Sequence, residues 1–148
     1  MYEFLRGLHN LIRWLVLLGG FAAVVVMLRG LLARTQWTGR ERGIGAAFAG
    51  TLHLQVVVGI LLYLVSPIVR GGFADFGAAM GDPDTRFFLV EHGLIMILAA
   101  VSAQVGLSMA RRAETDRARY VRATIGVALA LLLVLYAIPW GRSLIPWA

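Results

Sequence analysis

Four long apolar stretches restrict this chain to a membrane architecture. They cover about residues 8–33, 44–66, 87–110 and 120–140, and each reaches the roughly 20 residues that a helix needs to cross a bilayer. Lipid offers the backbone no hydrogen-bond partners, and the stretches lack the alternation of barrel strands, so each is predicted to be a helix. We therefore expect an all-α integral membrane bundle of four helices that forms one domain over residues 1–148.

The charged residues divide unevenly between the two ends of such a bundle. The connections after the first and third stretches, with their flanks, carry nine arginines and three carboxylates, whereas the opposite end carries five of each. Positively charged connections stay in the cytoplasm. We expect both termini and the 67–86 loop to lie outside, on the periplasmic side of a bacterial inner (plasma) membrane. The net charge of +6 then reflects topology and does not indicate a nucleic-acid partner.

Three histidines, His9, His53 and His92, lie within or beside these stretches. Ionisable groups at membrane depth are costly and mark functional sites. His9 and Arg13 are four residues apart and share a helix face. Arg13 can extend to the headgroups with His9 beside it, or it can neutralise an anion such as a haem propionate or a quinone oxygen. The sequence leaves both interpretations open.

His53 lies about 10 residues inside Tyr63, which is roughly 15 Å at the helical rise. An imidazole cannot reach the headgroups from that depth, so we expect His53 to face protein. Its face continues through Ala46, Ala49 and Gly50. Small residues indicate close helix packing, and they also leave space for a flat macrocycle. A His53 that only hydrogen-bonds to another helix is the alternative.

His92 begins the third helix about one turn inside the boundary, and Met96 lies on the same face. Glu91 precedes His92 but points about 100° away around the helix. A buried carboxylate needs a partner, and Arg13 and Arg86 are the candidates. We expect a structural Arg–Glu pair that fixes the bundle rather than a catalytic carboxylate.

Several kinds of chemistry are excluded by the residues present. The chain has no cysteine, which excludes disulfides, thiolate metal sites and c-type haem attachment. It also lacks an H-E-x-x-H helix, a glycine-rich phosphate loop and a serine nucleophile elbow. A zinc protease or a nucleotide-dependent enzyme is therefore not indicated.

The polar motifs resemble a family of small bacterial four-span membrane proteins commonly named cytochrome B. The resemblance covers nearly the whole chain and is carried by His9-Asn-Leu-Ile-Arg-Trp14, His53-Leu-Gln55 with Gly59, Tyr63-Leu-Val-Ser-Pro67, Arg86-Phe-Phe-Leu-Val-Glu-His92 and Ile138-Pro139-Trp140. It implies a b-type haem, with the three histidines as the functional polar set. It also places Arg13, Gln55, Arg86 and Glu91 around them. Three histidines allow at most one bis-histidine haem per protomer.

The choice of axial ligands remains open at this stage. Bis-histidine ligation needs two imidazoles that face one iron from opposite helices. At 1.5 Å per residue, His9, His92 and His53 lie about 0, 6 and 15 Å below the outer boundary. We expect His53 and His92 to be the pair, with His9 and Arg13 near the propionates. His9 with His92, and His53 with Met96, are the alternatives.

Three functions are compatible with this pattern. The first is a haem protein that passes electrons to or from a quinone or a neighbouring respiratory subunit. The second is a cofactor-free accessory subunit that docks to a larger membrane complex or to a second copy of the chain. The third is a metal or proton site formed by the three histidines and Glu91. Whether the protein is an enzyme stays open, and we expect an electron carrier or an accessory subunit rather than an enzyme.

Overall fold

The computed structural model describes residues 1–142 and 144–146, and it is all-helical over this range. The elements are α1 (Tyr2–Ala33), α2 (Gly39–Val65), α3 (Pro67–Ala74), α4 (Phe76–Gly81), α5 (Pro83–Arg86), a π-helix (Phe87–Glu91), α6 (His92–Arg111) and α7 (Asp116–Ala137). Four helical segments are long and apolar enough to cross a membrane: α1, α2, α7 and the continuous segment from α5 to α6. The chain is therefore a membrane protein with four transmembrane-capable helices.

The four long helices form a bundle in which each packs against two neighbours. α1 contacts α2 and α7, and α6 contacts the same two helices, so α1 and α6 lie diagonally opposite each other. The closest pair is α6 and α7, where Gly106 faces Gly126. A Cβ atom on Gly106 would lie 2.5 Å from the Cα of Gly126. Glycine at both positions allows the two backbones to touch, as in other membrane helix pairs.

Local caps set where the long helices begin and end. Thr38 starts α2 with a capping box, because its side chain accepts from Arg40 N–H and Glu41 bonds back to its backbone. Thr115 accepts from Ala118 N–H at the start of α7. α7 ends at Ala137, three residues before the end of the fourth apolar stretch. Ile138 precedes Pro139, and a residue before proline avoids the helical conformation.

The segment at residues 67–86 was expected to be a loop, and this expectation is wrong. It contains α3, α4 and α5, which start after the capping residues Ser66, Asp75 and Asp82. Pro67 and Pro83 occupy first-turn positions, where a proline has no N–H to leave unsatisfied. α5 runs directly into the π-helix, so the third span begins earlier than the apolar pattern indicates.

The two ends of the bundle differ in composition and packing. We call the end with the 34–38 and 112–115 connections the arginine-rich end. There the ring of Tyr120 packs against Gly30 and edge-on to Trp37, and its hydroxyl lies 3.0 Å from Thr35 Oγ1. We call the opposite end, which carries the start of α1 and the end of α2, the histidine end.

Candidate functional site

A cavity of about 570 Å³ lies at the histidine end, between α1, α2, α6 and the end of α7. This volume falls within the roughly 300–1,000 Å³ of small-molecule and cofactor sites. Most of the wall is apolar. The polar side chains that line its interior include His9, Asn10, Arg13, Gln55 and His92.

His9 and His92 face each other across this cavity. Their ring centroids are 6.2 Å apart and the ring planes meet at 67°. A metal–nitrogen bond of about 2.0 Å and an imidazole radius of about 1.1 Å on each side would place two rings that ligate one metal about 6 Å apart. The rings come from the diagonal helices α1 and α6. The distance between their ring centroids is therefore compatible with two imidazoles that bind one metal ion between them.

His92 is held in one orientation by the backbone of α7. Its Nδ1 lies 2.9 Å from the carbonyl oxygen of Ala137. A carbonyl oxygen can only accept, so Nδ1 is the donor, and in the neutral imidazole Nε2 then keeps its lone pair. Metal-ligating histidines usually donate their second ring nitrogen to such a partner. The π-helix ends at Glu91, immediately before this residue, and such insertions are frequent at functional sites.

His9 is seated against α2 by two residues one helical turn apart. The Nε2 of Gln55 donates to the His9 carbonyl oxygen at 3.0 Å. Gly59 leaves room for the ring, since a Cβ atom there would lie 3.2 Å from His9 Cε1. The buried Nδ1 of His9 has no hydrogen-bond partner among residues 1–142 and 144–146.

Two further polar side chains in this wall are buried and only partly satisfied. Gln55 is 2% exposed, and its Oε1 has no partner in the described chain; Arg13 is 7% exposed, and the same holds for its Nε. The terminal nitrogens of Arg13 donate to Asn10 Oδ1 at 3.3 Å and to the Leu144 carbonyl oxygen at 2.7 Å. None of its contacts in the part of the chain that the structure describes is an ion pair with a carboxylate.

These unsatisfied atoms belong to one wall of one cavity. Buried polar groups are normally hydrogen-bonded, and each exception calls for an explanation. The described lining contains Arg6, Arg13 and Arg142 but no aspartate or glutamate. The wall can therefore accept the polar or anionic groups of a ligand whose body is apolar.

The structure places His53 away from this cavity. It lies on the exposed face of α2, and the expectation that it faces the protein interior is wrong for the single chain. The inward face of α2 runs through Leu52, Gln55 and Gly59, and the next residue after Leu52 points about 100° away. Met96 is buried in the cavity wall. Neither His53–His92 nor His53–Met96 is thus brought together, whereas His9–His92 is.

Of its two candidate partners, Arg13 and Arg86, Glu91 pairs with Arg86. Its Oε1 lies 2.7 Å from Arg86 Nε, and both side chains are about two-fifths exposed. The alternative pair with Arg13 does not form. Arg86 and Glu91 do not line the cavity. The pair fixes the junction between α5 and α6, and the expectation that these two residues surround the site finds no support in this geometry.

A metal site of three histidines and Glu91 is also not assembled. No group of three or more histidine, aspartate or glutamate side chains that could hold an ion occurs within the described residues. Four further site residues received no role from the sequence: Asn10 and Gly59, which lie in the motifs quoted above, and Ala137 and Leu144, which do not. Gly59 alone left a signal, because it lies one turn after Gln55 on the same face.

The fold and the site together define a four-helix membrane protein with two opposed histidines at one end of its bundle. No protein-family model, curated protein or solved structure matches this chain. The functional assignment therefore depends on the geometry of the cavity.

Proposed function

We propose that this protein binds one b-type haem between His9 and His92 and serves as an electron carrier in a bacterial inner membrane. The observation that carries the proposal is the pair of imidazoles 6.2 Å apart on diagonally opposite helices. The fixed tautomer of His92 and the size of the cavity support it. When bound, such a haem takes up and releases one electron at its iron.

The chain's own residues would supply orientation, charge and exclusion of water. The Ala137 carbonyl aims His92, while Gln55 and Gly59 hold His9. Buried apolar side chains such as Val134 line this part of the cavity and would limit the entry of water. Electrostatic interactions are stronger in such a medium.

Arg13 would complete the site by neutralising a carboxylate of the macrocycle. It is buried, lines the cavity and lacks an acidic partner in the described chain. A buried charge without a partner is strongly destabilising. The propionate groups of a b-type haem would provide that partner. The histidine end would lie on the periplasmic side, because the arginine-rich end follows the positive-inside rule.

One observation favours a second candidate, a cofactor-free accessory subunit. His53 is exposed on α2, in the interior of a span. Ionisable residues at this depth almost always face protein or water. In this alternative, the α2 face that carries His53 docks to a subunit of a larger complex, and His9 and His92 only join helices.

An absorption spectrum of the purified protein separates the two candidates. We expect a low-spin haem spectrum with a reducible α-band from the parent chain. His9→Ala and His92→Ala should each lose it or convert it to a high-spin spectrum, because one axial ligand is removed. His53→Ala is the matched control and should keep the spectrum. A colourless parent protein, or a low-spin spectrum that survives His9→Ala, would rule out the proposed ligation.

A further inference from the structure

The cavity wall reaches the outer surface of the bundle between α2 and α6. These helices meet near the arginine-rich end, where a Cβ atom on Gly45 would lie 2.6 Å from Leu107 Cδ2. At the histidine end α2 is joined to the π-helix that precedes α6, where the Tyr63 hydroxyl donates to the Leu89 carbonyl oxygen at 2.8 Å. Taken over their whole lengths, α2 and α6 pack less extensively than the other neighbouring pairs of long helices.

Three residues in this gap line the cavity and are also exposed. Ile60 on α2 is 51% exposed, and Leu94 and Ile97 on α6 are 55% and 47% exposed, yet all three line the cavity. A side chain with both properties lies on the rim of an opening. We call the opening bounded by Ile60, Leu94 and Ile97 the window.

The composition of the rim suits an opening toward lipid rather than water. Its rim residues are large and apolar, and they lie in helices long and apolar enough to cross a membrane. Ile60 is about one helical turn further from the end of α2 than Tyr63, whose hydrogen bond marks the outer limit of the gap. A charged molecule would lose its hydration on this route at a cost of several kcal/mol.

The route leads to a polar interior. Gln55, five residues before Ile60, is almost fully buried and leaves its Oε1 without a partner in the described chain. Arg13 and His9 line the same cavity, and Arg13 Nε and His9 Nδ1 likewise have no hydrogen-bond partner in the described chain. A molecule suited to the window is thus neutral and lipid-soluble, and it carries a group that hydrogen-bonds to such atoms.

We propose that the cavity is reached from the bilayer through the window, and that the molecule that exchanges electrons with the site through it is of the quinone class. The identity of this partner rests on the proposed haem function, because the molecule must also be redox-active. Quinones are neutral, lipid-soluble and redox-active, and their oxygens hydrogen-bond.

The electron count requires two one-electron acceptors for each quinol. A quinol releases two electrons and two protons as it becomes a quinone. A bound haem would take up one electron, so two haem-loaded protein molecules, each reduced once, would be needed to oxidise one quinol completely. The two protons would be released to water at the histidine end, where the cavity lining includes Tyr2 and Arg142.

Obstruction of the window tests the proposal. Leu94→Trp adds bulk at the rim, and Leu132→Trp adds the same bulk on an exposed part of α7 that does not line the cavity. Haem reduction is followed in vesicles with decylubiquinol and, separately, with dithionite. We expect Leu94→Trp to lower the ratio of the quinol rate to the dithionite rate by about tenfold, as restriction of a gate does, and Leu132→Trp to leave it unchanged. An unchanged ratio in Leu94→Trp would reject the window while leaving the haem assignment intact.

A second measurement tests the window without using haem. The parent chain has no cysteine, so Val56→Cys provides one thiol in the cavity wall. A maleimide with an alkyl tail, dissolved in the vesicles, should label it faster than a charged methanethiosulfonate added in water, and Leu94→Trp should slow the first reagent. Faster labelling by the charged reagent, or no labelling by either, would reject the window. Labelling through the window in a protein without haem would reject the proposed function and the quinone but keep the route.

Discussion

Gly59→Ala tests whether His9 is seated on α2 as the structure shows. The added Cβ atom would lie 3.2 Å from His9 Cε1 and 3.6 Å from Nδ1, so the ring must move by a few tenths of an ångström. The same helix offers a matched control in Gly50, where an added Cβ atom meets nothing within 4 Å. The two variants make the same chemical change in one helix and differ only in what the methyl group contacts.

We expect Gly50→Ala to raise the free energy of unfolding and Gly59→Ala to leave it unchanged or lower it. Glycine to alanine in an exposed helix interior stabilises by about 1 kcal/mol, and Gly50→Ala should gain this amount. Overpacking a buried contact costs about 1–3 kcal/mol. Gly59→Ala also gains the roughly 1 kcal/mol of helix propensity, so its net effect should be a destabilisation of between about zero and 2 kcal/mol. The two variants should therefore differ by about 1–3 kcal/mol.

Thermal unfolding in detergent measures this difference, since 1 kcal/mol corresponds to about 2–4 °C in Tm for a chain of this size. Gly59→Ala should also weaken the low-spin haem band, because it displaces an axial ligand, whereas Gly50→Ala should not. If both variants gain the same stability and keep the same spectrum, His9 does not rest on Gly59 and the arrangement of the cavity is wrong.

Two further predictions concern topology and the ion pair at the start of the third span. In intact cells, Gly77→Cys should react with an impermeant thiol reagent and Gly39→Cys should not, since the arginine-rich end is expected in the cytoplasm; the reverse pattern would invert the orientation. A double-mutant cycle of Glu91→Gln with Arg86→Gln should show a coupling of at most about 1 kcal/mol, because the pair is partly exposed. Glu91→Gln and Arg13→Gln should instead be additive in unfolding free energy, and a measurable coupling between them would contradict the observed pairing.

The four spans could be predicted because they depend on length and on backbone hydrogen bonding alone. The buried face of α2 could not, because lipid is as apolar as leucine and leaves no polar stripe to mark the outside. Val57, Ile60 and Leu64 are exposed while Leu52 and Val58 are buried, although all five are apolar. We expected His53 to point inward because an imidazole at membrane depth is costly in contact with lipid. That cost does not determine how the helix is rotated about its axis.

The partner of Glu91 was undecided for a related reason. Residues five apart in an α-helix point in different directions, so Arg86 was no better a candidate than the distant Arg13. The π-helix at Phe87–Glu91 has a wider turn, with hydrogen bonds spanning five residues. It brings Arg86 and Glu91 to one side, and the sequence shows no sign of this insertion.

One backbone atom joins the two ends of the described chain. The Leu144 carbonyl oxygen accepts hydrogen bonds from the Arg13 side chain and, at 3.1 Å, from Trp14 Nε1. Every residue type has a carbonyl group, so the side chain at this position can vary without loss of the contact. The spacing between Ala137 and Leu144 cannot, because a deletion would withdraw the acceptor from both donors. This contact at the edge of the cavity therefore depends on the length of the segment rather than on the side chain at position 144.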